Sequence, residues 1–165
     1  MKRALFVVLT AALLAVHGLA AAGETAPDFT LIGLDGTSVS LSSLKGKVVV
    51  LNFFRTFCPY CVQEVPELND IAGRLGSKGV AVLGMGLDSA NALKGFVRTN
   101  KVAYPVAVVS PDVQRAYSDV RGTGGLRGVP TTVVVSPTGE VSRVFPGRPA
   151  ASVLRRTVEA LLPSK

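Results

Sequence analysis

The sequence has few of the side chains that usually bind metals. Its 165 residues include two cysteines, a single histidine and no tryptophan. The histidine, His17, lies in an apolar N-terminal stretch, so the remainder of the chain offers no imidazole ligand. Two cysteines alone cannot complete a structural zinc site, and covalent haem attachment would need a histidine where Val62 follows Cys61. We therefore expect neither a metal site nor an attached haem.

The sequence also lacks a concentrated basic tract. It has 18 basic and 11 acidic residues, a formal net charge of +7 at pH 7. The basic side chains are scattered and do not alternate with aromatic residues; they include Arg55, Arg74, Lys94, Arg121, Arg127, Arg143, Arg155 and Arg156. This distribution is typical of a solvated basic surface and argues against nucleic-acid binding.

The first residues have the composition of a secretory signal peptide. Lys2 and Arg3 precede the apolar stretch Ala4–Val16, and three alanines before Gly23 offer a cleavage pattern of small residues. An uncleaved membrane anchor is the alternative, although the apolar stretch is shorter than the ~20 residues that a spanning helix needs. We expect a signal peptide over residues 1–22 and an exported, periplasmic domain without stable membrane insertion. Disulfides persist in such a compartment.

One domain is expected over residues 24–165. The chain is 48% hydrophobic, which is enough for a core. Lys47–Phe54 is a nearly continuous apolar run, typical of a central strand buried on both faces. Periodicity predicts further strands at 29–32, 39–41, 79–86, 105–109, 131–135 and 141–145, and helices at 59–75, 90–99, 111–119 and 150–162. The apolar positions expected to bury the first helix are Val62, Val65, Leu68, Ala72 and Leu75. Alternating strands and helices indicate an α/β domain with a mixed sheet covered by helices.

The two cysteines, Cys58 and Cys61, stand three positions apart between the central strand and the first helix. Pro59 has no N–H group and suits the first helical position. Cys58 should therefore lie beside free backbone N–H groups and the positive end of the helix dipole, which stabilise a thiolate. A structural disulfide is the alternative, but closing so short a loop contributes only ~2 kcal/mol, against ~4.7 kcal/mol for about a hundred residues. The spacing favours a reversible redox pair open to partner proteins, with no cofactor beyond that disulfide.

Several ordered motifs carry a resemblance to a known family. Val48–Phe54 precedes the cysteines, Cys58–Leu68 reads Cys-Pro-Tyr-Cys-Val-Gln-Glu-Val-Pro-Glu-Leu, and Gly128–Thr132 reads Gly-Val-Pro-Thr-Thr. With these motifs the chain resembles the thioredoxin superfamily, and within it the exported TlpA/ResA-like thiol–disulfide oxidoreductases. The resemblance implies a thioredoxin fold with a central mixed β-sheet flanked by helices, an N-terminal β-hairpin and an inserted helix–strand segment before the cis-proline strand.

The resemblance also implies a groove for partner proteins. A cis bond between Val129 and Pro130 is expected to face the cysteine pair and to leave the Val129 backbone free to pair with an extended partner segment. An ordinary trans proline is the alternative. Phe57 stands where the family usually has tryptophan, and Pro59 and Tyr60 lie between the cysteines. These five residues are the expected groove.

Glu64 matches an acidic residue that family members carry near the cysteines. The hypothesis is that it exchanges protons with the pair, chiefly with Cys61; the alternative is a solvated glutamate favoured by the helix dipole. Asn52 stands where ordinary thioredoxins carry a buried acid, and because an amide cannot titrate, proton exchange shifts toward Glu64. Arg55 could favour the Cys58 thiolate, although a solvated arginine is the simpler interpretation.

The residues and the resemblance together predict an exported thiol–disulfide oxidoreductase. Cys58 attacks a partner disulfide and Cys61 resolves the mixed disulfide, so protein thiols or disulfides are the expected partners. The resemblance favours a reductant of the cytochrome c maturation type, recharged by a membrane thiol–disulfide electron donor. A peroxiredoxin-like peroxidase is one alternative, although Thr56 stands two residues before Cys58 and not three. A non-catalytic copper- or partner-binding module is the other, although the chain after residue 22 has no histidine.

Overall fold

The computed structural model describes residues 23–163, so the predicted signal peptide at residues 1–22 lies outside it. Within this part the chain forms seven strands and four α-helices. The strands are β1 (Thr30–Ile32), β2 (Ser38–Ser40), β3 (Val48–Phe54), β4 (Val80–Gly86), β5 (Val106–Val108), β6 (Thr131–Val135) and β7 (Val141–Pro146). The helices are α1 (Pro59–Leu75), α2 (Ala90–Thr99), α3 (Pro111–Ser118) and α4 (Ala151–Glu159).

A five-stranded mixed sheet forms the centre, in the order β5-β4-β3-β6-β7. The neighbours β3, β4 and β5 run parallel, whereas β6 is antiparallel to β3 and β7 is antiparallel to β6. Strands β1 and β2 form a separate antiparallel hairpin, tied to the edge of the sheet by a bridge between Gly33 and Ala107. This arrangement confirms the predicted fold class, including the inserted α2–β5 segment before β6.

Strand β3 is buried along its whole length, as its apolar sequence predicts. Because side chains alternate along a strand, Val48, Val50, Asn52 and Phe54 point to the side covered by α1, which we call the α1 face. Val49, Leu51 and Phe53 point to the opposite side, where they pack near Tyr117 of α3, and we call this the Tyr117 face. The sheet therefore separates two hydrophobic clusters.

Helix α1 buries Val65, Leu68 and Leu75 as expected, but not Val62. Val62 is exposed, because Cys61, Glu64, Val65, Leu68, Ile71 and Leu75 occupy the buried side. These positions follow the i, i+3, i+4, i+7 spacing of one helix face, from which Val62 is displaced by one residue. The prediction for Val62 was wrong because apolar character alone did not reveal that a cysteine and a glutamate belong to the buried stripe.

The last helix is shorter than predicted. Helix α4 ends at Glu159, and the N–H groups of Leu161 and Leu162 donate to carbonyls three residues earlier, which makes turns instead of a further α-helical turn. Helix ends commonly tighten in this way because their last carbonyls lack α-helical partners. None of the helices between residues 23 and 163 has the length and apolar character needed to cross a bilayer.

Candidate active site

The two cysteines lie at the junction between β3 and α1. Cys58 is the N-cap of α1, with Pro59 at the first helical position, and its sulfur accepts the backbone N–H of Cys61 at 3.2 Å. The sulfur thus lies among the N–H groups that a helix leaves without partners at its start. Both cysteines are free thiols in this structure. The predicted position of Cys58 at the mouth of the helix is confirmed.

Both cysteines are buried, to slightly different extents. Cys58 keeps 7% of its surface exposed, whereas Cys61 keeps 2% and belongs to the core beneath α1. The pair is therefore less open to partner proteins than expected, and Cys61, which the helix turns toward the sheet, is the more enclosed. We call Cys58 the outer and Cys61 the inner cysteine.

The loop before β6 approaches the outer cysteine from the other side. The Val129–Pro130 peptide bond is cis, as the resemblance implied. The Cys58 thiol donates to the carbonyl oxygen of Val129 at 3.4 Å, which brings the proline loop against the cysteine pair. Pro130 is buried and Val129 is half-buried.

Apolar side chains stand in solvent around the outer sulfur. Phe57 is 75% exposed and Tyr60 is 63% exposed, and Pro59 between them is exposed as well. Large aromatic side chains are usually buried, and an exposed group of them is typical of an interaction surface. Most of the surface of Phe57 faces solvent.

A buried polar cluster lies behind the inner cysteine. Glu64 is fully buried, and its carboxylate accepts hydrogen bonds from the Asn52 amide at 2.9 Å and the Thr132 hydroxyl at 3.2 Å. The same amide is also 2.9 Å from the Thr132 hydroxyl oxygen. Asn52 and Thr132 are direct neighbours in the β3–β6 register, so both point at α1 together. The interpretation of Glu64 as a solvated side chain is wrong.

Burial controls the proton affinities of this cluster. It raises the pKa of Glu64 to about 7, with a smaller contribution from the negative charge of Glu67, while the hydrogen bonds from Asn52 and Thr132 oppose the shift. Burial likewise raises the pKa of the Cys61 thiol far above its usual range, and the bond to Cys58 and the charge of Glu64 act in the same direction. Cys61 is therefore protonated at neutral pH, and Glu64 titrates in the physiological range.

Arg55 is directed away from the cysteines. Its guanidinium donates to the carboxylate of Asp88 at 3.1 Å and to the carbonyl oxygen of Leu87 at 3.2 Å. The Asp88 carboxylate also accepts the backbone N–H of Thr56 at 2.7 Å and its hydroxyl at 2.9 Å. These contacts fix the turn between β3 and α1. Arg55 is bound in an ion pair with Asp88, whereas the sequence had suggested either an arginine beside the thiolate or a solvated one.

Sequence reasoning missed three residues around this site. Thr132 and Asp88 bind residues that had been singled out, and Tyr104 is a buried phenol whose ring would lie 3.2 Å from a Cβ on Gly84. Burial and the negative charge of Glu64 raise the pKa of Tyr104, which agrees with a position near the polar cluster. The one available signal was Asn52, because an amide inside an apolar run implies a buried polar partner.

The arrangement supports thiol chemistry and offers little to a metal. An outer sulfur at a helix N-terminus and an inner sulfur one turn away suit reversible disulfide exchange. Between residues 23 and 163 no group of three histidine, cysteine, aspartate or glutamate side chains is arranged to hold an ion.

The fold and the site together define a protein thiol–disulfide oxidoreductase of the thioredoxin type. In a comparison with known protein families, residues 22–144 match the AhpC/TSA family. The chain belongs to that family.

Named relatives agree with this class. The thiol-disulfide oxidoreductase ResA of Halalkalibacterium halodurans is 30% identical over 149 residues, which cover 89% of this chain and 81% of the relative. A crystal structure of a thioredoxin-family thiol:disulfide interchange protein from Chlorobium tepidum superposes with a TM-score of 0.78 at 31% identity, covering 86% of this chain and 97% of the other. The thioredoxin domain of a thiol-disulfide oxidoreductase from Bacteroides vulgatus superposes with a TM-score of 0.71 at 27% identity, with the same coverage. The resemblance stated from the motifs is confirmed.

Proposed function

We propose that this chain is an exported thiol–disulfide oxidoreductase that reduces disulfides in other proteins of the periplasm. The observation that carries the proposal is the environment of the Cys58 sulfur, which accepts the N–H of Cys61 at 3.2 Å and lies 3.4 Å from the Val129 carbonyl oxygen. The first contact stabilises a thiolate, and the second marks the backbone beside which a partner disulfide would lie.

The reaction proceeds in two exchanges. The Cys58 thiolate attacks one sulfur of the partner disulfide, forming a mixed disulfide and releasing the other partner sulfur as a thiolate. Cys61 then loses its proton and attacks the Cys58 sulfur, forming the Cys58–Cys61 disulfide and releasing the second partner thiolate. The partner gains two electrons and the enzyme loses two, so the only cofactor that the reaction needs is the redox-active disulfide itself.

Glu64 takes the proton that Cys61 must lose. It is the carboxyl behind Cys61 on the buried side of α1, and its pKa of about 7 leaves it partly ionised at neutral pH and able to accept a proton. The pKa of Cys61 is raised, so few thiolates form without such a base. Glu64 would act as general base in the reducing direction and as general acid in reverse.

Phe57, Pro59, Tyr60, Val129 and Pro130 form the partner groove. The exposed rings of Phe57 and Tyr60 supply apolar contact on one side of Cys58, and the proline loop offers backbone on the other. Such a groove suits an extended segment around a partner cysteine, since main-chain pairing gives affinity without requiring one sequence.

Export and reducing direction rest on the leader and the relatives. The composition of residues 1–22 suits a signal peptide, and the relatives include proteins named ResA. A single redox pair must be recharged after each turnover, and a membrane thiol–disulfide carrier is the donor that an exported protein could meet. Apocytochrome c during its maturation is the proposed type of substrate.

A redox titration against glutathione tests the direction. A reductant should have a potential near that of thioredoxin, about −270 mV, whereas an oxidant approaches about −120 mV. A value at the oxidising end would contradict the reducing role and leave the thiol exchange itself intact. Tight Cu(I) binding without any exchange would instead favour the copper-binding alternative.

Cell fractionation tests export. We expect the protein outside the cytoplasm, with a mature N-terminus at or near Gly23. An uncleaved chain in the membrane fraction would favour the anchor, and a cytoplasmic chain would remove the proposed partners.

A further inference from the structure

Glu67 presents an unusual buried carboxylate. Both of its oxygens are buried, and neither has a hydrogen-bond partner among the described residues. A buried ionisable group without partners is destabilising, so its presence in a folded protein calls for an explanation such as a role in proton transfer.

Glu67 lies one helical turn beyond Glu64 on α1, at the side of the buried stripe and not in it. Cys61, Glu64 and Glu67 are spaced by three residues on α1, and side chains at this spacing are neighbours, with about 5–6 Å between their Cβ atoms. The negative charge of Glu67 also acts on Glu64, which agrees with their proximity. Glu67 is therefore a neighbour of Glu64, offset around the helix from the inner sulfur.

A cleft opens beside Glu67. It has a volume of about 410 Å³, lies between α1 and the start of α4, and is lined by Gln63, Pro66, Glu67, Asp70, Ile71, Arg74, Arg148, Ala151 and Arg155. Arg148 and Arg155 are exposed, so the cleft is in contact with solvent. Glu67 therefore lines a cleft that reaches solvent, although its own carboxylate oxygens are buried.

The charges around Glu67 keep it able to take a proton. Burial raises its pKa, the positive charges of Arg148 and Arg155 oppose this, and Asp70 adds to the increase. Arg148 also acts on Glu64, and Arg74 is bound to Asp70 in an ion pair. The pKa of Glu67 is thus raised overall, which favours its taking up a proton.

The proposed role of Glu64 creates a need for such a neighbour. Glu64 is fully buried, so the proton that it takes from Cys61 cannot pass directly to bulk water. Repeated turnover requires that this proton leave before the next cycle.

We propose that Glu67 is a positioning residue that relays protons between Glu64 and the solvent-filled cleft at α4, an inference that rests on the proposed proton exchange by Glu64. In the resolving step the Cys61 proton moves to the Glu64 carboxylate while the Cys61 sulfur bonds to that of Cys58, and the partner thiolate leaves with the electron pair of the broken bond. Glu64 then passes the proton to the Glu67 carboxylate, which releases it to water in the cleft. The reverse reaction uses the same groups in the opposite order.

A single-turnover assay with an aromatic disulfide reads the relevant step. When the reduced protein meets dithionitrobenzoate, attack by Cys58 releases one coloured thiolate and attack by Cys61 releases the second. The second phase reports the deprotonation of Cys61. It should be measured against pH and against the concentration of imidazole, a base small enough for the cleft, at constant ionic strength.

Glu67→Gln should slow the second phase by about ten-fold at neutral pH, less than the hundred-fold or more typical of losing a general base itself. Added imidazole should restore most of the rate, whereas the wild-type rate should not depend on imidazole. Glu67→Asp should keep at least half of the wild-type rate without imidazole. Asp112→Asn, which removes an exposed charge from α3 on the opposite side of the sheet, is the matched control and should behave as wild type.

The outcomes separate the relay from the role of Glu64. If Glu64→Gln removes the inflection of the second phase near pH 7 while Glu67→Gln keeps the wild-type rate, the relay is wrong and Glu64 remains the base. If Glu67→Gln shifts only the position of the inflection, without dependence on imidazole, Glu67 acts through its charge and the relay is again wrong. If Glu64→Gln keeps the inflection, both ideas are overturned, although the thiol exchange by Cys58 stands. Thermal unfolding of each variant shows whether a slow second phase reflects damage to the fold. If Glu67→Gln slows the second phase and imidazole does not restore its rate, the relay is contradicted.

Discussion

The two faces of β3 are equally buried but differ in chemistry. On the Tyr117 face, Val49, Leu51 and Phe53 pack among apolar and aromatic groups, with the Phe53 ring 5.1 Å from that of Tyr117. On the α1 face, the apolar run is interrupted by Asn52, which binds Glu64. One side of the same strand therefore serves packing alone, and the other encloses a polar cluster directly behind the cysteines.

The Tyr117 face shows what the fold itself requires. Its one buried phenol, Tyr117, donates to the carbonyl oxygen of Pro27 at 2.8 Å, so that polar group has a partner. The α1 face instead contains a carboxyl whose burial is unfavourable and whose pKa is raised to about 7. Since a sheet can be covered without such a group, the burial of Glu64 is consistent with the proposed proton exchange with Cys61.

The largest effect should follow from changing the outer sulfur. Cys58→Ser removes the nucleophile and should lower the rate of disulfide exchange by at least about 10³-fold. The folded structure should be unaffected, because serine is smaller and the site is at the edge of the core. Reduction of a protein disulfide by the purified chain, with dithiothreitol as donor, measures the change.

Cys61→Ser is the matched control for this variant. It keeps the attacking sulfur but cannot resolve, so a stable mixed disulfide with the partner should accumulate, as seen by mass spectrometry. Hydrogen peroxide should be tested on the same proteins. Consumption of peroxide by the wild type far above the Cys58→Ser background would favour the peroxidase alternative. The position of Thr56 argues against that alternative, because its hydroxyl is bound to Asp88.

The largest stability effect should come from the Tyr117 face. Phe53→Ala deletes a fully buried ring and should reduce the free energy of unfolding by about 3–5 kcal/mol. Urea unfolding at pH 7 measures this. The pH dependence of the resolving step should remain that of the wild type, because Phe53 points away from Glu64; a changed pH profile would show that the two faces are coupled.

The α1 face should show a pH-dependent stability that the Tyr117 face lacks. The pKa of Glu64 is raised from 4.5 to about 7 on folding, so between these values the native state holds a proton that the unfolded chain has released. The stability associated with Glu64 is therefore fully present below pH 4.5 and lost as the pH rises through 7, a change of about 3 kcal/mol. Glu64→Gln should remove this loss.

The measurement is urea unfolding of both proteins at pH 5, 6, 7 and 8. The difference between wild type and Glu64→Gln should shift in favour of the variant as the pH rises. A difference that is constant across this range would mean that Glu64 does not hold its proton in the folded state, and the proposed exchange with Cys61 would lose its basis.

The sequence predicted much of the fold and the outer part of the site. The continuous apolar run of β3, the proline at the start of α1 and the Gly-Val-Pro-Thr-Thr motif are local signals, and each maps onto its predicted element. The burial of Glu64 could not be predicted, because it depends on how α1 rotates over the sheet. The contacts of Asn52 with Thr132, which is 80 residues away in the chain, and of Arg55 with Asp88 depend on strand register and loop packing, for which the sequence carries no local pattern.

The smallest effect should come from Arg55, which lies next to the α1 face but is bound elsewhere. Its side chain is 37% exposed and paired with Asp88, so Arg55→Gln should reduce stability by only about 0.2–1 kcal/mol, the range of exposed ion pairs. Burial alone would raise the pKa of Asp88, but the hydrogen bonds from Thr56 and the charge of Arg55 hold it below 3.8. The stabilising effect of the pair is therefore present above pH 3.8 and lost as the carboxylate is protonated at lower pH.

The redox potential shows whether Arg55 only stabilises the fold or also affects the thiol chemistry of Cys58. Because its guanidinium is bound to Asp88 and to the Leu87 carbonyl, Arg55→Gln should shift the potential by less than about 30 mV, which corresponds to ~1.4 kcal/mol for two electrons. Asp88→Asn is the matched variant, since it frees the guanidinium without removing it. A larger shift in Arg55→Gln than in Asp88→Asn would mean that the positive charge of Arg55 acts on the Cys58 sulfur. The turn after β3 would then belong to the redox site and not only to the packing around it.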